Sequence, residues 1–532
     1  MVATSPYQTA VDLGLTAPTF LNNKQAEDVA RVQAYYTYAD IFNNTQNAFS
    51  SMLRDDGDAV SRRFVAGART IVEATNNYLA KDPKWSWVLS DTGDVADEAT
   101  RLVPMAAIDS LFRREEFNAK FGSVKRWTLI KGDGLLHVTA DPLKPEGARL
   151  RITELEPEQY FPIKDPVDSE RIVGCYLVTI IFADDGTTQV AQRLMYRRIL
   201  NPDDAAEFGA PLGTVWAQMG FFAFNKWDDR DPLTEEDLEE VEVPTRLNTE
   251  ATALLMAGVV LPSQITAIPV YHFRNKRHGT ATFGISELQG IETILGGLTA
   301  TLSDEDLTIA LQSIGIYATD SGHPVNAQGE EVDWTVSPGA VAEVEPGKKF
   351  WRVEGATNID APIGHFNQLQ RTARETTSTP DVATGNVDVQ VAQSGIALAI
   401  QFAPLTGKNA EKELDIKGKL DQLMHDLLHG WLPAYEGLTV SDLLEARVAF
   451  APAIPLNRKE FIEEITSLVK PDVSIISKEF ARQLLSERLG ITFPDDIDQQ
   501  ILDESQAALD AVGARLDGAV ADGTPNASEA PA

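Results

Sequence analysis

Between two long helical patterns the chain carries a polar, glycine-containing stretch, DVATGNVDVQVAQ (381–393), that runs directly into the apolar helix start SGIAL (394–398). Such a stretch has too little apolar surface to form a core of its own, so the flanking helices must hold it. Asn386, Asp388, Gln390 and Gln393 give it polar side chains, and it contains no Lys or Arg. Metal ligands, a nucleophile and phosphate-binding glycines are missing from it. The pattern points to a loop held out into something and gripped by helices, which is mechanical rather than chemical work.

The helices that would grip it are legible from apolar periodicity. Residues 285–311 read as one long helix. Ser286 and Gln289 have capping-box spacing, Leu288, Ile291, Leu295, Leu298 and Leu302 form a stripe, and Gly296-Gly297 suits close helix contact. Residues 360–379 form a second, with Pro362 inside its first turn. After the loop, Ser394 caps a third helix that Pro404 should kink or break. It resumes over 408–432 with Leu420, Leu423, Leu427 and Trp431 on one face. Residues 314–355 lie between the first two helices and carry strand and turn signals, among them Trp334, Pro338-Gly339 and 348–353.

Upstream, helices are predicted over 24–50, with Tyr35, Tyr36 and Tyr38 clustered, over 58–80 with Asp58 as cap, and over 96–121. The pattern then changes to strands. WTLIKGDGLLHVTA and IVGCYLVTIIFADDGTTQVAQRLMYRRIL read as hairpins around Gly132-Asp133-Gly134 and Asp184-Asp185-Gly186, belonging to one antiparallel sheet over 123–225. LEPEQYFPIKDP between them reads as a turn region, and 228–241 as an acidic linker or surface helix. Residues 457–510 read as helices, and GARLDGAVADGTPNASEAPA as a disordered tail. Segregated helices and strands make this an α+β fold, mainly helical.

Charge excludes one class of partner. The chain holds 46 Lys and Arg against 79 Asp and Glu, a formal net charge of −33. Tight phosphate binding needs a basic face, so this balance argues against it. The plain reading is a soluble acidic protein, and the same like-charge repulsion is compatible with a surface that DNA slides past. Cys175, the single cysteine, permits neither an intrachain disulfide nor a cysteine metal site and reads as a buried structural thiol. The N-terminus lacks a signal-peptide pattern, and no apolar run nears the ~20 residues that span a bilayer. The reading is a cytosolic product with no membrane anchor.

The search for chemistry is mostly negative. His425 and His429 have metal-ligand spacing without a third ligand. Gly407-Lys408 lacks the Ser/Thr and first Gly of a phosphate loop. Acidic pairs such as Asp304/Asp306 and Glu463/Glu464 are expected by chance among so many carboxylates. The cluster Arg274, Lys276, Arg277 and His278 reads as a solvated loop, a contact to phosphate, or a contact to carboxylates of a neighbouring subunit. No catalytic residues and no cofactor are predicted.

Four stretches, in order, resemble the portal proteins of tailed bacteriophages, of the siphophage kind found in phages of actinobacteria. They are ARVQAYYTYADIFNN…SRRFVAGARTIVEATNNYL, LEPEQYFPIKDPVDSERIVGCYLV, IPVYHFRNKRHGTATFGISELQGIETILGGLTATLSDED and TPDVATGNVDVQVAQSGIALAIQFAPL. The resemblance spans about residues 25 to 432. It implies a ring of subunits, usually twelve, at one capsid vertex, through which double-stranded DNA is packaged and ejected.

On that resemblance residues 1–280 would be the wing, 281–313 the first stem helix and 314–358 the clip. Residues 359–379 would be the second stem helix, 380–393 the tunnel loop and 394–455 a long kinked helix with the return to the wing. Residues 456–510 would be the crown and 511–532 a tail. The tunnel-loop residues Asn386, Asp388, Gln390 and Gln393 would face DNA. Lys348, Lys349 and Trp351 of the clip would meet partners. Those partners would be the terminase large subunit, which would supply ATP hydrolysis, and the head–tail adaptor; major capsid and scaffolding proteins would surround the ring. The product would reside in the virion, and in the host cytoplasm during assembly. The competing readings are another virion subunit, capsid or adaptor, and an acidic hydrolase using paired carboxylates.

Overall fold

The computed structural model describes residues 25–45, 64–165, 168, 170–223, 240–277, 279, 281–314, 316–323, 346–353, 360–385, 395–452, 465–467, 481–482 and 485. The chain divides into two compact units, Met1–Ala453 and Ile454–Ala532. In the second, 465–467 and 481–482 are helical, with Ile465 and Ala481 buried. The rest of the expected crown and the expected tail lie outside the described residues, as do Asp58 and most of the acidic stretch 228–241.

In the first unit the order is α1 (Gln25–Asn43), α2 (Gly67–Tyr78), β1 (Lys84–Leu89), α3 (Glu98–Arg114), α4 (Phe117–Lys131), β2 (Asp133–Ala140), β3 (Leu150–Leu155), β4 (Tyr160–Lys164), β5 (Ile172–Phe182) and β6 (Gln189–Arg198). Next come α5 (Pro202–Phe208), β7 (Val215–Ala223), α6 (Glu250–Ala257), β8 (Val259–Val260), β9 (Val270–Arg274), α7 (Glu292–Ile314), β10 (Ile316–Thr319), β11 (Phe350–Val353) and α8 (Asp360–Thr376). The unit closes with α9 (Gly395–Asp426), a π-helical turn at Leu427–Trp431, α10 (Leu432–Glu436) and β12 (Leu444–Ala449). Helices and sheets coexist as an α+β fold.

Several boundaries differ from the sequence reading. The helix expected over 96–121 is two. Asp97 caps α3 by accepting from Thr100 N at 3.0 Å, and Glu116, at φ 52°, interrupts the ladder before α4. Phe112 and Phe117 stack across this break at 4.1 Å between ring centroids, so apolar spacing continues where the backbone does not. WTLIKGDGLLHVTA is a helix end and one strand rather than a hairpin. Gly132, at φ 96°, closes α4 as its left-handed cap instead of turning a hairpin.

The single sheet expected over 123–225 is two antiparallel sheets, ordered β3-β2-β9 and β4-β5-β6-β7-β8. The hairpin around Asp184-Asp185-Gly186 forms as read: Gly186 has φ 70° and Asp185 accepts from Thr187 N and Thr188 N at 2.9 and 2.8 Å. LEPEQYFPIKDP holds a 3-10 turn at Pro157–Gln159 and then β4, so only its first part is a turn. Alternation along β5 sends Tyr176, Val178 and Ile180 toward Val32 and Tyr36 of α1, and Cys175 and Leu177 into the main core. Burial on both faces explains its near-continuous apolar run.

The tyrosine cluster of α1 reaches three different neighbours. Tyr36 packs on the five-stranded sheet. Tyr35 donates to Asp133 Oδ2 at 2.5 Å, while His272 Nε2 and Gly284 N approach Oδ1 at 2.7 and 2.8 Å. Tyr38 donates to Glu292 Oε1, at the start of α7, at 3.0 Å.

α7 begins at Glu292, after the expected position. Ser286 does not cap it: its hydroxyl donates to Ile130 O at 2.5 Å and accepts from Leu288 N at 3.1 Å. The predicted close contact exists, since a Cβ at Gly297 would lie 3.4 Å from Leu369 Cδ1 of α8. β10 and β11 pair antiparallel beyond these helices, Ile316 with Val353 through Thr319 with Phe350. Trp334, Pro338 and Gly339 lie outside the described residues. α9 runs through Pro404 without a break, with buried Phe402 and Leu405 holding the helix on either side of it. Leu420, Leu423, Leu427 and Trp431 are buried as read. β12 then pairs with β1, returning the chain to its N-terminal part.

Two glycines separate conformational strain from collision. Gly132 has φ 96°, and a Cβ there would sit 2.7 Å from Gly284 O, whereas Gly147, at φ 80°, faces open space. Gly147→Ala should cost about 1 kcal/mol, and Gly132→Ala about 3 kcal/mol or more. Equal losses in guanidinium unfolding would refute the close backbone approach.

Candidate functional site

Lys408 and Lys412 lie one turn apart on α9. Lys412 falls in the stripe Phe402, Leu405, Asn409, Ile416 and Leu420 that this helix turns inward. Their side chains are 11% and 2% exposed, and ammonium groups so placed need a carboxylate. Glu287 supplies it from the segment before α7. Its Oε1 accepts from Lys408 Nζ at 2.8 Å. Its Oε2 accepts from Lys412 Nζ and, at 3.2 Å, from Asn275 Nδ2. Lys276 Nζ stands 3.7 Å away. Lys408 also donates to Thr75 Oγ1 of α2 at 3.1 Å and to Thr377 O, just past α8, at 2.6 Å. One side chain thus ties α9 to α2, to the approach to α7 and to the end of α8.

The electrostatics follow from this crowding. Burial alone would raise the Glu287 pKa, but the ammonium groups of Lys412, Lys408 and Lys276 overcome it and hold the carboxyl well below its ordinary range. Burial pushes Lys412 down to about 8 against the pull of Glu287. It lowers Lys408 in the same way.

The 381–393 stretch leaves from this joint. α8 ends with Ser378 at φ 52° and Thr379 N donating to Arg374 O at 2.9 Å. The Arg374 guanidinium pairs with Asp381. Asp381–Thr384 form a 3-10 turn in which Thr384 Oγ1 donates to Asp381 O at 2.8 Å, and Gly385 closes it at φ 91°. A cleft of about 730 Å³ lies where the chain departs and returns, lined by Arg371, Arg374, Asp381, Val382, Gln401 and Pro404 among others. Asn386, Asp388, Gln390 and Gln393 lie outside the described residues. The structure supplies the anchorage on both sides of them.

The other sequence candidates divide. Lys348 and Lys349 are exposed beside β11, and Trp351 is 46% exposed on it, opposite Ala318 of β10. The basic cluster is engaged within its own chain: Arg274 and Arg277 reach Asp415 Oδ1 at 3.1 and 3.3 Å, and Lys276 faces Glu287. His278 lies outside the described residues. Gly407-Lys408 is mid-helix, with the lysine turned inward. The His425 and His429 rings lie 4.7 Å apart at a 49° tilt, and His429 Nε2 contacts Leu444 O at 2.9 Å. Among the described residues no group of three or more His, Cys, Asp or Glu could hold a metal. Cys175 is fully buried, which pushes its thiol pKa up. Asp304 and Asp306 lie on α7; Glu463 and Glu464 are outside the described residues.

Sequence reasoning missed the Glu287–Lys408–Lys412 joint. One signal for it was present: Lys412 sits in register with the buried stripe, where an unpaired lysine is not tolerated.

No protein-family model matches this chain, and no curated protein matches it. Among solved structures it is similar to a chain in the neck of a native GTA particle computed with C12 symmetry, at 13% identity and a TM-score of 0.41. It is similar to a chain in the virion of a native gene transfer agent (GTA) particle at 12% identity and 0.42. A chain in the neck of an empty GTA particle computed with C6 symmetry gives 12% and 0.41. Each comparison covers 84% of this chain and 93% of the other. Likenesses at these TM-scores carry no role across to this chain.

Glu287→Gln would leave two buried ammonium groups facing a neutral amide and should cost about 3–5 kcal/mol in chemical unfolding. The Glu287 pKa is lowered from 4.5 on folding. Its stabilisation is therefore fully present above that value and is lost as pH falls below it. Between pH 5 and about 3 the wild-type unfolding midpoint should drop more steeply than that of Glu287→Gln. Parallel pH profiles would contradict the assigned joint.

Proposed function

We propose that this chain is a phage portal protein: a virion subunit, acting as a ring, that forms the channel for double-stranded DNA at one capsid vertex. The observation that carries the reading is the anchored departure of the 386–394 segment. A packed helix pair, α7 and α8, leads into a turn pinned by Arg374–Asp381 and Lys408–Thr377. The chain then resumes as α9, whose inner face is buried in the main core. A segment whose two ends leave from packed helices can contact a passing polymer and transmit force without performing chemistry.

The remaining parts take roles consistent with this. α7 and α8 are the stem, the β10–β11 pair is the base of the clip, and the two antiparallel sheets with α1–α4 belong to the wing. Asn386, Asp388, Gln390 and Gln393 contact DNA transiently, and the net charge of −33 disfavours lasting phosphate contacts. Lys348, Lys349 and Trp351 meet the packaging motor and later the head–tail adaptor, and ATP hydrolysis belongs to that motor. A dodecamer is the expected assembly.

Negative-stain microscopy of the purified full chain tests the reading. Rings with a central hole are the expected result, and a stable monomer under all conditions would overturn it. Within a ring, reversing charge at both Lys348 and Lys349 should weaken motor or adaptor binding in a pull-down. Unchanged binding would remove those two residues from the contact.

A further inference from the structure

α9 already buries one face, the stripe Phe402, Leu405, Asn409, Lys412, Ile416 and Leu420. Its opposite face is also apolar. Ile400, Ala403, Gly407, Ala410 and Leu414 follow one another by steps of three, four, three and four residues, and all are exposed. Ile400 is 67% and Leu414 74% exposed. The row is about 21 Å long at 1.5 Å per residue. A helix facing water normally carries charge on its outer side, and one that is apolar all round is normally buried.

The occupant can be argued from charge and symmetry. The chain carries −33 overall, so copies meeting through most of its surface would place carboxylates together. The exposed residues of α9 between 400 and 418 include only two charged ones, Glu411 and Lys417, of opposite sign. This neutral strip is where another copy can approach without accumulating like charge. A head-to-tail contact also needs two unlike faces on every subunit. α3 offers a second outward apolar face: Ala99, Leu102, Val103 and Ala106, with Leu102 49% and Val103 59% exposed. Lipid is a poor alternative, because an acidic protein is repelled by anionic membranes. Among the described residues no helix is long and apolar enough to cross a membrane.

We infer that the outer face of α9, from Ile400 to Leu414, is buried against a second copy of this chain and is a principal intersubunit contact. The inference rests on the ring reading above and names the surface that would make the ring.

Two measurements test it. Ala410→Glu with Leu414→Glu alters residues that are exposed in the single chain, so its circular dichroism should match wild type. Light scattering after size exclusion should shift from ring mass to the mass of one chain. A wild-type ring with an unchanged variant ring would overturn this inference and leave the ring reading standing; a wild-type monomer would overturn both. If the charged variant fails to fold, Ala410→Cys gives an independent readout, because buried Cys175 is silent to a maleimide. In rings its labelling should be about tenfold or more slower than that of Glu146→Cys on an exposed turn. Equal rates would overturn the contact. Slow labelling that persists in monomeric fractions would assign the face to this chain's own segments, which would also overturn it.

Discussion

Glu287 holds two ammonium groups against its two carboxylate oxygens inside the protein, and four separate parts of the chain meet at that point. Lys408 and Lys412 come from α9, Thr75 from α2 and Thr377 from the end of α8, while Glu287 itself precedes α7. A buried ion pair contributes little net stability compared with apolar packing, but removing one partner is costly. Its consequence is geometric: each donor and acceptor has a fixed direction, so the helices cannot slide past one another without losing bonds. An apolar joint of equal volume would permit more than one register.

The same logic recurs where α1 meets the rest of the molecule. Asp133 accepts from Tyr35 and is approached by His272 and Gly284 N, gathering α1, β2, β9 and the approach to α7 around one carboxylate. Arg31 donates to Pro157 O and Tyr160 O, both at 3.1 Å, and lies 4.1 Å from the centre of the Phe283 ring. Lys131 meets Glu158 at 2.7 Å above Trp127. Large apolar clusters supply the driving force for folding, and these few buried polar contacts select one arrangement of the elements.

That rigidity bears on the proposed role. A segment meant to touch moving DNA must not itself bind strongly, yet its supports must resist load. The 386–394 segment is devoid of basic residues, while its supports are α8, α9 and the Glu287 joint. Basic residues that seemed available for phosphate, Arg274, Lys276 and Arg277, are spent on Asp415 and Glu287. On the proposed role, these internal carboxylates would leave fewer free cations to hold passing phosphate.

Much of the architecture was local information. The periodicity of Leu420, Leu423, Leu427 and Trp431 determined which face of the long helix is buried. The Asp184-Asp185-Gly186 turn determined a hairpin, and Gly297 marked a close helix contact. These follow from side-chain spacing and backbone sterics, which act over a few residues. Tertiary structure decided the rest. Gly132 could end a helix or turn a hairpin, and only its packing against Gly284 distinguishes these roles; Ser286 looked like a helix cap until Ile130 O took its hydroxyl. Glu287 and Lys412 are far apart in sequence, and the need of a buried lysine for a carboxylate does not specify which carboxylate answers it. Composition determined that the surface would be acidic, whereas folding decided which cations were neutralised inside and left the outer face of α9 nearly free of charge.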